Sequence, residues 1–66
     1  MTISLNGERR EIREGMTVAD LISDLALPPE HVAVELNRAL LKRALFTKTR
    51  LQEGDALELV TLVGGG

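Results

Sequence analysis

The length of the chain sets the strongest limit on its fold. Sixty-six residues form one small domain, and a domain of this size buries only about 60% of the surface that its unfolded chain exposes. The core therefore has room for one helix packed on one sheet, and little room for a buried catalytic cleft. Hydrophobic residues at 44% and charged residues at 27% are typical of a folded, soluble domain rather than a disordered segment.

The composition excludes several classes of site. The sequence has no cysteine, which excludes disulfides, cysteine-ligated metals and a catalytic thiol. The one histidine, His31, cannot hold a metal ion unaided, and we interpret it as an exposed loop residue. A net charge of −2 and a single aromatic residue, Phe46, disfavour a nucleic-acid-binding domain. No apolar run reaches membrane length, so we expect a cytoplasmic protein that binds no metal or cofactor itself.

The first part of the sequence predicts a β-hairpin. Apolar and polar residues alternate over 1–5, as in a half-buried strand. Asn6-Gly7 is a strong hairpin signal, because both central positions of a type I′ turn need a positive φ. The return strand, 8–13, is predicted from this turn more than from its own pattern, since Ile12 is its only apolar residue.

A helix is predicted after the hairpin. Thr17 and Asp20 have the spacing of a capping box at its N-terminus. The apolar residues that follow have helical spacing and form one stripe for the sheet: Val18, Leu21, Ile22 and Leu25. We expect Pro28-Pro29 to end this helix.

The second half predicts three more strands. Alternation over 32–36 indicates a central strand, Leu40-Leu41 is a short strand, and 56–63 is a strand rich in branched residues. Phe46 is interpreted as a lid over the core edge rather than a binding ring. The order β-β-α-β-β-β, with the last strand paired to the first, predicts an α+β fold of the ubiquitin-like β-grasp type. Its mixed sheet of four to five strands would pack on one helix within a domain of residues 1–63.

The candidate functional residues lie at the end of the sequence. Gly64, Gly65 and Gly66 follow the last strand directly. Glycines have no side chains, so we expect a flexible tail at 64–66 that presents the Gly66 carboxylate in a narrow channel. Fraying at a domain end is the alternative explanation of such a tail.

The parity of the last strand predicts a docking surface. Leu57 and Leu59 share one face of the strand, and Glu58 lies on the other. If Glu58 points outward, Val60 and Leu62 point outward too. Two exposed apolar side chains beside the tail suggest a partner-docking site, although a strand covered on both faces remains an alternative.

The charged residues show no catalytic pattern. The carboxylates are scattered through turns and outer faces, without the burial or close partner that would tune a catalytic pKa. A loose group of cations follows the third strand and is interpreted as surface charge that could steer an acidic or phosphorylated partner: Lys42, Arg43, Lys48 and Arg50.

Five segments together resemble the ThiS family, the sulfur carriers of thiamine thiazole biosynthesis. They are Asn6-Gly7, Gly15-Met16-Thr17-Val18, Val32-Ala33-Val34-Glu35-Leu36-Asn37, Glu53-Gly54-Asp55 and the stretch from Val60 to Gly66. The terminal diglycine alone occurs in many ubiquitin-like proteins, and the combination is much more specific. Arg38 departs from the resemblance, since similar proteins often carry a smaller turn residue there.

The resemblance implies a mechanism and partners. A ThiF-type adenylyltransferase would use ATP and magnesium to convert the Gly66 carboxylate into an acyl-adenylate. Sulfur from a cysteine desulfurase would then replace AMP, and the Gly66 thiocarboxylate would donate its sulfur to a ThiG-type thiazole synthase. The chain would be a co-substrate and not an enzyme. Three alternatives stay open: a molybdopterin synthase small subunit, a ubiquitin-like protein modifier, and a β-grasp binding module without tail chemistry.

Overall fold

The computed structural model describes residues 1–62. Over this range the chain forms five strands, one α-helix and two short 3-10 helices. In chain order the strands and the α-helix are β1 (Thr2–Leu5), β2 (Glu8–Glu11), α1 (Val18–Asp24), β3 (Val32–Leu36), β4 (Ala39–Leu41) and β5 (Ala56–Thr61). The 3-10 helices are Pro29–His31 and Arg43–Leu45. No helix within residues 1–62 is long and apolar enough to cross a membrane.

The five strands form one mixed sheet in the order β2-β1-β5-β3-β4. β1 and β5 are parallel, while the other three neighbouring pairs are antiparallel. The predicted pairing of the last strand with the first is confirmed, as is the α+β β-grasp fold with one helix. The prediction that β3 lies inside the sheet is confirmed, since it pairs with β5 on one side and β4 on the other. The middle position of the five belongs to β5, which pairs with both β1 and β3.

Type I′ backbone geometry is present at two hairpin turns. Asn6 and Gly7 have φ values of 51° and 83°, and Asn37 and Arg38 have values of 52° and 71°. Arg38 therefore occupies a left-handed position that favours glycine. The return strand β2 ends at Glu11, two residues earlier than predicted, and all four of its side chains are exposed because it forms the edge of the sheet.

The helix begins with the predicted capping box. The Asp20 amide donates to Thr17 Oγ1 at 3.1 Å, and the Thr17 amide donates to the Asp20 carboxylate at 3.0 Å. The hydrogen bonds from the Thr17 backbone and then its side chain lower the pKa of Asp20, since they stabilise the charged carboxylate.

The end of the helix differs from the prediction. α1 ends at Asp24, with Leu25 as its C-cap, so the helix ends before Pro28-Pro29 is reached. Ala26 has a φ of 58°, and its amide donates to the Ser23 carbonyl at 2.9 Å. The Leu27 amide donates to the Ile22 carbonyl at 3.2 Å. This pair of bonds is a Schellman motif, which ends the helix by satisfying its last carbonyls.

The core lies between α1 and one face of the sheet. Its most buried side chains come from every part of the chain: Ile3, Met16, Val18, Leu21, Ile22, Val32, Val34, Phe46, Leu51, Leu57 and Leu59. Phe46 is 3% exposed, which confirms a packing role for its ring. The Phe46 carbonyl also accepts the Ala19 amide at 3.0 Å, so the segment after β4 satisfies a donor at the N-terminus of the helix.

We predict that Ala26→Gly stabilises the domain by about 0.5–1 kcal/mol. The left-handed conformation costs a non-glycine residue roughly 1–2 kcal/mol, which exceeds the additional unfolded-state entropy of glycine, about 0.4–1 kcal/mol. Urea denaturation measures the free energy of unfolding. Ala19→Gly, inside the right-handed helix, is the control and should lower the same free energy by about 1 kcal/mol. A loss of stability in Ala26→Gly would contradict the argument from its φ.

Candidate functional site

The last strand carries both core and surface side chains. Leu57 and Leu59 are 1% and 9% exposed, while Val60 and Leu62 are 58% and 54% exposed. The predicted parity of the strand is confirmed, and the alternative of a strand covered on both faces is wrong for this part of the chain. The predicted docking role of Val60 and Leu62 stays a prediction, because exposure alone does not identify a partner.

Backbone pairing holds β5 on both sides. Its first half lies beside β1, where Ser4 is opposite Ala56, and its whole length lies beside β3. The ladder with β3 continues past the strand, since the Leu62 amide donates to the His31 carbonyl at 2.7 Å. The backbone is therefore anchored as far as Leu62, the last residue described.

Asn6 extends the β1–β5 ladder beyond the point where β1 turns away. Its Oδ1 accepts the Leu59 amide at 2.8 Å, and its Nδ2 donates to the Leu59 carbonyl at 3.3 Å. The side-chain amide thus takes the place of a backbone peptide group in the ladder. A short side chain that bears both a donor and an acceptor is needed for this arrangement.

Asn37 acts in a similar way on the other flank of the same strand. Its Oδ1 accepts the Ala56 amide at 2.9 Å, and its Nδ2 donates to the Asp55 carboxylate at 3.0 Å. The turn signal at Asn6-Gly7 predicts neither this contact nor the bonds that Asn6 makes to Leu59. One sequence signal is common to both turns. Asparagine is the first of the two central turn residues in each, so its side chain lies beside the end of a strand.

A patch on the outer face of the sheet continues from Val60 and Leu62. We define the outer face as the exposed side of β3, β4 and β5 together with Leu62. Pairing places Ala33 opposite Val60, and Glu35 opposite both Glu58 and Leu40. Leu40 is 74% exposed. The outer face is therefore apolar at both ends and acidic in the middle.

The predicted tail residues Gly64, Gly65 and Gly66 lie outside the described residues. The flexible tail and the chemistry at Gly66 therefore stay predictions. His31 is exposed, as expected, in the 3-10 helix opposite Leu62. Residues 1–62 contain no group of three or more potential metal ligands.

The remaining charged side chains include the four predicted cations and those that line a groove beside the helix. The four predicted cations are all exposed, around and after the second 3-10 helix: Lys42, Arg43, Lys48 and Arg50. A groove of about 190 Å³ lies elsewhere, between the end of β2 and the helix. The Arg13 guanidinium in that groove contacts the Asp24 carboxylate at 3.2 Å. A hydrogen bond from the Thr2 hydroxyl lowers the pKa of Glu11, another residue of the groove.

Comparison with known proteins places the chain in a family. The sequence profile of the ThiS family matches residues 3–66, which is nearly the whole length. The chain belongs to the ThiS family. The ThiS thiamine biosynthesis protein of Geobacter metallireducens has a crystal structure that superposes with a TM-score of 0.84 at 36% identity, covering all of both chains. A solution structure of a thiamine biosynthesis protein from the same organism gives a TM-score of 0.83.

Curated relatives of two sizes are similar to the chain. A thiazole synthase of Magnetococcus marinus is 42% identical over 66 residues, and the chain spans 20% of its length. A thiazole synthase of Paramagnetospirillum magneticum is 35% identical, again with 20% of its length covered. The uncharacterised protein ycf40 of Pyropia yezoensis is 41% identical, and the chain covers 93% of it. The chain is thus similar both to small proteins of its own size and to about a fifth of the length of much longer proteins.

We predict that Asn6→Gly lowers the free energy of unfolding by about 1–3 kcal/mol. Glycine keeps the positive φ of the turn, so the substitution isolates the two bonds to Leu59, whose loss leaves partly buried backbone groups unpaired. Urea denaturation measures the change. Asn37→Gly is the matched control. We expect it to lower the free energy of unfolding less, because the hydrogen bonds of the Asn37 side chain are exposed and water can replace them. An unchanged stability in Asn6→Gly would show that the side chain does not support β5.

Proposed function

We propose that the chain is a sulfur carrier that supplies sulfur for thiazole formation in thiamine biosynthesis. The observation that carries this proposal is the match to the ThiS family over residues 3–66, which includes the glycines at the end of the sequence. The names of its relatives, thiazole synthase and thiamine biosynthesis protein, support the same pathway. They favour thiazole formation over the molybdopterin and protein-modifier alternatives.

The chemistry takes place at the Gly66 carboxylate. A carboxylate is a poor acyl donor because its leaving oxygen is strongly basic. A ThiF-type adenylyltransferase uses ATP and magnesium to join this carboxylate to AMP, with release of pyrophosphate. A persulfide sulfur supplied through a cysteine desulfurase attacks the acyl carbon and displaces AMP. Reductive cleavage of the sulfur–sulfur bond by a thiol leaves the thiocarboxylate.

The carrier is a co-substrate rather than an enzyme in this scheme. The thiocarboxylate sulfur is ionised at neutral pH and is a good nucleophile, for the same reason that thiolates are reactive. A ThiG-type thiazole synthase provides the electrophile and the catalytic groups. All of these steps take place in the cytoplasm. The partner enzymes recognise the folded domain of the carrier through Val60 and Leu62.

We predict that Gly66 becomes a thiocarboxylate when the protein is incubated with its cognate adenylyltransferase, ATP, magnesium and a sulfur donor. Intact-mass spectrometry should show one oxygen-to-sulfur exchange, and fragmentation should locate it at Gly66. A chain that lacks Gly65 and Gly66 is the control and should keep its mass, since the shortened tail does not reach the reaction centre. A mass shift that survives this truncation would place the chemistry elsewhere.

We predict that Val60→Ser with Leu62→Ser weakens binding to the adenylyltransferase by more than about 1 kcal/mol, because apolar contacts at an interface centre often contribute this much each. The free energy of unfolding should change by only about 0.5 kcal/mol per site, since both side chains are exposed. Calorimetric titration measures the binding.

Leu59→Ala is the control on the inner face of the same strand. It should cost about 2–5 kcal/mol of stability through lost core packing. If the serine variant unfolds as easily as Leu59→Ala, or binds its partner as tightly as the unchanged protein, Val60 and Leu62 are not the docking residues.

A further inference from the structure

Two glutamates face each other in the middle of the outer face. Glu35 of β3 is directly opposite Glu58 of β5, and both side chains are exposed. Side chains opposite each other in an antiparallel pair have Cβ atoms about 4.5–5.5 Å apart, and like charges in such a pair are destabilising. The salt bridge found within residues 1–62 joins Arg13 and Asp24. Neither Glu35 nor Glu58 therefore has a salt-bridge partner in the described part of the chain.

Apolar side chains surround this acidic pair. Val60 lies one position further along the same face of β5, and Leu40 is opposite Glu35 on β4. The two carboxylates therefore lie between apolar groups that are 58% and 74% exposed. A surface of this kind fits a basic group that also packs against apolar side chains. Arginine has this character, since its planar guanidinium offers several donors in a fork and is weakly hydrated.

We propose that the outer face binds an arginine-bearing surface of the enzyme that activates Gly66, with one guanidinium between Glu35 and Glu58. This inference rests on the proposed function and names the recognition chemistry of the first partner. An enzyme that binds ATP together with a carboxylate tail needs a positive site, and its field extends to the surrounding surface. Glu58 precedes Leu62 by four residues, roughly 13 Å along a strand, so the acidic pair lies near the rim of such a site.

The negative charge of Glu35 and Glu58 disfavours other binding partners at the outer face. A second copy of the chain that met this face with its own outer face would bring four carboxylates together without a cation. Nucleic acids and anionic membranes would be repelled for the same reason. A cationic protein surface relieves the repulsion between Glu35 and Glu58 on binding, which favours the complex over the free carrier.

The test compares two variants that remove the same amount of charge. Glu35→Gln with Glu58→Gln removes the acidic pair, whereas Glu8→Gln with Glu14→Gln removes two exposed carboxylates elsewhere. The KM of the carrier is measured with its purified ThiF-type adenylyltransferase, ATP and magnesium, at low and at moderate salt. We expect the first variant to raise KM at low salt about tenfold and to abolish most of its salt dependence, with kcat little changed. The control variant should keep a KM near that of the unchanged carrier.

Several outcomes would overturn the proposal. A KM that is unchanged in the Glu35/Glu58 variant, or raised equally in the control, would mean that the pair is not a recognition site. A loss confined to binding of purified thiazole synthase would assign the face to the second partner and overturn the assignment made here. Urea denaturation serves as the folding control, and a Glu35/Glu58 variant less stable than the unchanged carrier would contradict the inferred repulsion. If the unchanged carrier is not adenylated at all, the proposed function fails instead.

Discussion

The position of β5 between β1 and β3 is the interaction on which the rest of this structure depends. β5 pairs in parallel with the first strand and in antiparallel with the third, which joins the two halves of the chain into one sheet. Leu57 and Leu59 enter the core from this strand and pack under the helix. In a domain with so small a core, loss of this strand would separate the N-terminal hairpin from the β3–β4 hairpin.

Side-chain amides complete what the backbone ladder leaves unfinished. β1 turns away at Asn6 and β3 turns away at Asn37, and both asparagines then bond β5 through their side chains. Both have a positive φ, which asparagine tolerates better than most residues. The same residue therefore satisfies the turn and a neighbouring strand. These contacts hold β5, the strand that precedes the glycines in the sequence.

The side chains of β5 point alternately into the core and toward solvent, so this one strand has two roles. Its inner residues stabilise the domain, and its outer residues form a surface that contributes little to that stability. The pairing with β3 places Glu35 beside Glu58, a contact between like charges that the folded chain tolerates at the surface. A residue pair that lowers stability slightly and faces solvent is the kind of feature that recognition of a partner explains. Substitutions on the outer face should therefore have little effect on the core.

The sequence by itself determined the features that depend on near neighbours in the chain. These are the capping box at Thr17, the type I′ turn at Asn6-Gly7, the inward parity of Leu57 and Leu59, and the resemblance that led to the family. From the alternate inward and outward positions of β5, the sequence also predicted the exposure of Val60 and Leu62.

Only the tertiary structure decided the features that depend on pairing between distant segments. The full strand order is one, since the pattern of β3 indicates an interior strand but does not show that β5 lies between β1 and β3. The end of the helix at Asp24 is another, because it depends on a left-handed Ala26 and alanine carries no signal for that conformation. The meeting of Glu35 with Glu58 depends on register across 23 residues of sequence, which no local pattern fixes. Local preferences act through a few neighbouring bonds, whereas register is set by burial of the whole core at once.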